Sequence, residues 1–287
     1  MTSRPSWPRR LVRLFVKLAI CYLGVVIVLL ALENSLLYHP VRATEEWCPV
    51  PTNSDVEDIE LTTADGTRIH AWWCPRPGAT GALLYCHGNA GNLSHRNRTV
   101  TNLLDKVGES VLIFDYPGYG RSEGTPSEAG CYAAADAAYD WLTETKRIWP
   151  ERIILYGKSL GGGVAVELAS RRPHRALILV RTFTSIPDVA QQHYPFLPAR
   201  WLVRNRFDNL QKIGRCTRPV FIAQGDRDSL IPFSHGKRLF AAANEPKTFF
   251  CLKGCDHNDP FPTDYFVAIR RFLETYAPTN SQAGSAN

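Results

Sequence analysis

The hydrophobic residues of this chain fall into two distinct patterns. From residue 81 onward they form short, almost uninterrupted apolar runs, each closed by glycine or a polar residue: "GALLYCHG", "SVLIFDYPGYG", "RIILYGKS", "RALILVRTF" and "PVFIAQGD". Between several of them, small and apolar residues recur at helical spacing, most clearly in "GCYAAADAAYDWLTET" and more tersely in "GGGVAVELASRRP". Strands apolar on both faces, alternating with helices, predict a mostly parallel sheet covered on both sides, the α/β class. Upstream, "DIELTTADGTRIHAWWCP" alternates on either side of Asp65-Gly66 and predicts a β-hairpin, and "KTFFCL" predicts a final strand. Sheets of this kind gather their active groups at the carboxyl ends of the strands, where the unusual residues of this chain sit.

The second pattern is one long run. "LAICYLGVVIVLLAL", Leu18 to Leu32, carries no charge, and extended back to Leu14 it is long enough to cross a bilayer with only Lys17 inside. A buried helix of a soluble domain would keep a polar face, and none is visible here. Arg4, Arg9, Arg10, Arg13 and Lys17 precede the run without an intervening acid. A cleaved signal peptide shares these features, but no small-x-small site follows and Glu33-Asn34 ends the run abruptly, so an uncleaved anchor is expected. The positive-inside rule leaves the basic N-terminus in the cytoplasm and the bulk of the chain extracytoplasmic. The predicted organisation is a cytoplasmic tail and anchor over 1–35, a globular domain over 36–277 with a cap near 181–217, and a disordered tail over 278–287. The connector "ENSLLYHPVRATEEWCPVPTNSD" is expected to be an extended stretch leading away from the membrane.

Composition narrows this picture. At 287 residues, 45% hydrophobic and 21% charged, the chain is long enough for one large, well-buried domain. The net charge of +6 owes much to the N-terminus. Other basic residues are scattered among acids, including "RNR" at 204–206, expected to be a solvated face, so no nucleic-acid partner is predicted. Of the 8 cysteines, Cys21 fills the apolar run. The others lie in the part expected in an oxidising compartment, where Cys48 with Cys74 and Cys251 with Cys255 are candidate pairs and buried thiols the alternative. No C-x-x-C occurs, and no metal or organic cofactor is predicted.

The chemistry turns on "YGKSLGGG" at 156–163. A phosphate-binding G-x-x-x-x-G-K-[ST] loop would need glycine where Arg152 stands and a loop where "IILY" reads as strand. Gly157-Lys158-Ser159-Leu160-Gly161 instead fits G-x-S-x-G between a strand and a glycine-started helix, a turn so sharp that it lifts the serine hydroxyl clear of the sheet. Such a hydroxyl needs a base oriented by an acid, and around such elbows these follow in the order Ser, Asp or Glu, His. Asp228 is the favoured acid, with Asp226 expected to brace its turn. His257, in the loop after the last strand, is the favoured base; His235 is expected to be a surface or capping histidine at a helix start. The oxyanion hole is expected from the amide of Leu160 and one from the loop after "ALLYC", Asn89 first and Ala90 second. His87 is expected to brace that loop, and Ser122 to satisfy backbone.

Taken together, "HGNAGNLSHR", "DYPGYGRSEGTPSE", "GKSLGG", "TFTSIPDVA", "GDRDSLIP" and "GCDHND", behind an N-terminal run ending in "LENSLLYHP", resemble the membrane-anchored α/β-hydrolase serine esterases, a group that includes mammalian abhydrolase-domain proteins and palmitoyl-protein depalmitoylases. The resemblance runs from about residue 36 to 275. It implies the α/β-hydrolase fold, Ser159, Asp228 and His257 as nucleophile, acid and base, and a short cap. It gives Lys158 no role. The expected activity is hydrolysis of a carboxylic ester or thioester, of lipid or acyl-protein type, through an acyl-serine. The alternatives are a peptidase or acyltransferase on the same triad, or a membrane-tethered binding protein that has lost the chemistry.

Overall fold

The computed structural model describes residues 9–50 and 55–278; the chain before Arg9 and the predicted tail from 279 lie outside them. Eight strands, β1 (Glu57–Thr62), β2 (Arg68–Cys74), β3 (Ala82–Cys86), β4 (Ser110–Phe114), β5 (Ile153–Lys158), β6 (Ala176–Val180), β7 (Val220–Gly225) and β8 (Lys247–Leu252), form one sheet in the order β8-β7-β6-β5-β3-β4-β2-β1. β2 runs antiparallel to both β1 and β4, and every other pairing is parallel. The predicted hairpin is present, turned by Gly66 at φ 86°. The two-faced apolar character of the strands has its cause in the helices: α1 (Arg9–Ala31) and α2 (Glu33–Leu37) precede the sheet, and α3 (Asn97–Val107), α4 (Glu128–Asp140), α5 (Leu160–Ala169), α6 (Ile186–His193), α7 (Ala199–Leu202), α8 (Asn209–Lys212), α9 (Phe233–Ala242) and α10 (Thr263–Tyr276) follow. Alternate residues of β3 divide between two cores. Leu83 and Tyr85 meet α3 and α10 through Val100 and Ile269, whereas Leu84 and Cys86 face α4, α5 and α9 through Ala138, Val164 and Leu239.

Five parallel strands end together on one edge. Cys86 lies opposite Gly157, Gly157 opposite Leu179, Val180 opposite Ala223, and Gly225 opposite Leu252. The loops that leave these residues are the ones singled out above. α6, α7 and α8 form a small cap between β6 and β7.

The connector departs from expectation. It does not run outward from the end of α1 but straps back onto the domain: Glu33–Leu37 is helical, and His39 and Pro40 pair in parallel with Ala90 and Gly91 in the loop after β3. The amides of Val41 and Ala43 donate to the carbonyls of Gly91 and Gly120, which satisfies backbone groups that a free linker would leave to water. "RNR" keeps both arginine side chains exposed, as expected, but its backbone is not free. The backbone amides of Arg204 and Asn205 donate to the Glu33 carboxylate and that of Arg206 to Glu128, and Asn205 is buried. All eight cysteines are free thiols, with Cys74, Cys86, Cys131 and Cys216 buried, so neither candidate pair is formed.

The approach of α5 to the sheet leaves no room for side chains. A Cβ at Gly161 would lie 2.0 Å from the Cys86 carbonyl oxygen, and one at Gly157 2.5 Å from that of Gly161. Gly161→Ala is therefore expected to destabilise the fold by about 1–3 kcal/mol or more, read as a lowered urea midpoint at unchanged m-value; a change under about 0.5 kcal/mol would contradict this packing.

Candidate active site

Ser159 sits at the sharp turn between β5 and α5 with φ 54° and ψ −118°, a conformation that L-residues rarely adopt. Its amide donates to the Val180 carbonyl and its carbonyl accepts from the Thr182 hydroxyl at 2.8 Å, so the end of β6 and the loop that leaves it hold the strained residue from both sides. The hydroxyl points at the last loop: Ser159 Oγ lies 3.0 Å from His257 Nε2. On the other side of the ring, His257 Nδ1 lies 2.9 Å from Asp228 Oδ2 and 3.1 Å from Oδ1. All three side chains are buried, at 6–8% exposure. Asp226, the alternative acid, turns away and accepts from the Gly254 amide.

Groups not singled out in the sequence hold this relay. The Asp228 carboxylate also accepts from the amides of Leu230 and Ile231 and from Gln224 Nε2, which leaves it little freedom to rotate. The His257 loop is pinned by Arg181, whose Nη1 donates to the carbonyls of His257 at 2.8 Å and Asp259 at 2.7 Å. Arg181 is fully buried and has φ 49°. Asp256 completes the clamp, accepting from the His257 amide and from both amide and hydroxyl of Ser229. Arg181 ends an apolar strand and reads like any surface arginine in the sequence; only its fold position reveals the role.

The loop after β3 faces the serine, since a Cβ at Gly88 would lie 3.6 Å from Ser159 Cβ. The Asn89 side chain is committed elsewhere: Nδ2 donates to the Leu37 carbonyl, and Oδ1 accepts from Tyr119 Oη at 3.0 Å. The side chain is therefore unavailable as an oxyanion donor, and that expectation rests on the backbone amide. The Leu160 amide opens α5, where no carbonyl one turn earlier can take it. His87 braces this loop from below, with Nε2 3.3 Å from Asp115 Oδ1 and Nδ1 2.7 Å from the Gly88 carbonyl. Asp115 is fully buried; burial alone would raise its pKa, but the imidazoles of His70 and His87 beside it and the hydrogen bond from the Leu93 amide outweigh this and hold it below the ordinary value. Ser122 accepts from the His70 amide. His235 corrects the expectation of a surface residue. It lies in the first turn of α9 but is fully buried, its Nδ1 accepting from the Thr184 amide and its Nε2 donating to Gln192 of the cap, and burial lowers its pKa to about 4.

A hydroxyl, imidazole and carboxylate in series can pass a proton from the serine to the ring while the carboxylate stabilises the resulting imidazolium. With the start of α5 and the loop after β3 beside them, they suit addition to a carbonyl carbon and storage of the charge that develops on its oxygen.

The sequence family described as alpha/beta hydrolase fold matches residues 81–212, from β3 through the elbow into the cap. An uncharacterized protein of Mycobacterium tuberculosis, Rv2307c, is 40% identical over 259 residues, covering 87% of this chain and 90% of that protein. The alpha/beta hydrolase domain-containing protein WAV2 of Arabidopsis thaliana is 35% identical over 88% of this chain and 91% of its own length. This chain belongs to the alpha/beta hydrolase family. Among solved structures, the Pyrococcus furiosus esterase Pf2001 superposes with a TM-score of 0.69 at 21% identity, covering 84% of this chain and all of the esterase, a likeness of fold.

Within this hydrolase-family domain the site opens into a cleft of about 610 Å³, in the range of small-molecule pockets. Lys158 lines it beside Ser159. Elsewhere, Glu46, Cys48 and His95 bring three ligand-type atoms within 4.8 Å of one another near the surface, one short of a closed tetrahedral set.

Burial, with the nearby Arg96 and Arg181, lowers the Lys158 ammonium from its ordinary 10.5 to about 8. Between these two values the unfolded chain binds a proton that the folded one has released, so folding gains stability as pH rises through that window. Below about 8 the full penalty of the buried charge is present. Lys158→Met is thus expected to raise Tm at pH 7, with the gain narrowing by pH 10.5. A gain unchanged between the two pH values in thermal melts would refute the depressed pKa.

Proposed function

We propose that this chain is a serine hydrolase of carboxylic esters or thioesters. The observation that carries this reading is the 3.0 Å contact between Ser159 Oγ and His257 Nε2, continued at 2.9 Å to Asp228; the amides of Leu160 and Asn89, both residues of the cleft, are the proposed oxyanion donors. In the proposed reaction His257 takes the Ser159 proton as Oγ adds to the acyl carbon. The two amides hold the oxyanion, and the proton passes to the departing alcohol or thiol as the acyl-serine forms. Water, deprotonated by the same ring, then releases the acid and returns Ser159 to its starting state. The first turn of α5 directs its amides and dipole at this point.

The reading extends to location. α1 has 23 residues, about 35 Å at 1.5 Å per residue, enough for a bilayer core. Most of its side chains are exposed although apolar, which favours lipid contact over a place inside a soluble core. The segment after α1 is built into the domain through Glu33, an argument for retention as an anchor over removal as a signal peptide. With the basic N-terminus cytoplasmic, the catalytic domain is extracytoplasmic. The cleft is mostly apolar, which suits a lipid or an acylated protein as substrate.

A fluorophosphonate probe is expected to label the full-length protein at Ser159, with labelling lost in Ser159→Ala; equal labelling of a folded Ser159→Ala protein would overturn the assignment. Asp228→Asn is expected to lower kcat by about 10³–10⁴-fold through loss of the productive imidazole tautomer, measured on a p-nitrophenyl ester. A loss under about tenfold would assign the acid role to another group.

A further inference from the structure

The apolar run and the catalytic cleft, far apart in the sequence pattern, meet in the fold. Val26, Leu29, Leu30 and Glu33 all line the cleft that contains Ser159 and His257. Val26, Leu29 and Leu30, at i, i+3 and i+4, lie on one face of the last turns of α1, and Glu33 at the start of α2 continues the stripe at the site. Val26 is the one residue of α1 that is buried. The opposite wall comes from the cap, through Val189, Tyr194, Leu197 and Leu202.

The cap follows α1 further than the cleft does. Tyr22 Oη donates to the Phe196 carbonyl at 3.0 Å, and Tyr22 lies nine residues before the end of α1, about 14 Å along its axis. The cap segment 194–203, "YPFLPARWLV", therefore lies alongside a helix that is itself apolar and exposed. Phe196 and Trp201, which do not line the cleft, are exposed, Trp201 at 88%. Aromatic residues with an outward apolar face are what the boundary of a bilayer accommodates, and a soluble surface would give them nothing to pack against. The Arg204 guanidinium bonds Glu33 and the Leu30 carbonyl at the point where α1 ends, as an interfacial cation would.

Resting on the hydrolase reading above, we propose that α1 and cap segment 194–203 form a chute within one leaflet, through which the long acyl chain of a bilayer lipid ester reaches Ser159 without crossing water. The anchor is then a wall of the substrate site, and its side chains set chain-length preference. The ester group is held at the level where α1 leaves the apolar layer and the site begins. The apolar stripe of α1 takes the chain, and free energy that a soluble enzyme would need to extract the chain from the membrane is not required.

The test uses the full-length protein in phosphatidylcholine vesicles. Val26→Trp and Leu30→Trp should fill the chute and lower the ratio of kcat/KM for p-nitrophenyl hexadecanoate to that for p-nitrophenyl butanoate by at least about tenfold. An unchanged ratio in both variants would overturn the proposal. A second readout needs no turnover: phosphatidylcholine carrying a terminal diazirine should crosslink, in Ser159→Ala protein, to residues of the cap wall such as Val189 and Leu197, with less crosslinking in Leu30→Trp. Crosslinks confined to the outer side of α1 would overturn it. So would a water-soluble hexadecanoylated peptide cleaved equally well without vesicles and unaffected by Leu30→Trp. Failure of the hydrolase reading looks different, since butanoate turnover and fluorophosphonate labelling would then be absent while cap-wall crosslinking persisted.

Discussion

The close approach of the first turn of α5 to the ends of β3 and β5 is the constraint on which the site rests. It forces Ser159 to φ 54°, a conformation with no local reward, and that in turn lifts the hydroxyl toward His257. The strain persists because Gly157 and Gly161 allow backbone to pack against backbone, and because Val180 and Thr182 hold Ser159 by its amide and carbonyl. A side chain at either glycine would push the helix off the sheet and release the turn.

Around this point the fold spends buried polar groups on orientation. Asp228 has each oxygen engaged, Arg181 holds two carbonyls of the histidine loop, and His87 and Asp115 stiffen the loop on the other side of the serine. Such groups are expensive to bury, and their arrangement makes sense only when the geometry they keep is itself useful. Lys158 is different in kind: it lines the cleft as a partly desolvated cation whose charge the fold disfavours.

The N-terminal part is joined to this machinery more closely than a tether need be. Glu33 binds the backbone at 204 and 205, Leu37 accepts from Asn89, and His39 and Pro40 pair with the strand that follows Asn89. Any displacement of α1 relative to the domain is thereby felt at the loop beside Ser159.

Much of this was legible in the sequence, because the signals concerned are local. Two-faced apolar runs imply a covered parallel sheet, Asp65-Gly66 implies a hairpin, and a glycine-flanked serine between strand and helix implies a sharp turn; each depends on residues within a few positions of one another. The order of Ser159, Asp228 and His257 was readable for the same reason, each standing just beyond a strand end. What only the tertiary structure decided involves partners distant along the chain. Arg181 as the clamp of the histidine loop, His235 as a buried link to the cap, Arg204 and Asn205 as the seat of Glu33, and the stripe from Val26 to Glu33 as a wall of the cleft carry no local mark. A long apolar run records that a segment avoids water, but the direction in which one face of it looks is set by whatever packs there, and that is a property of the folded chain.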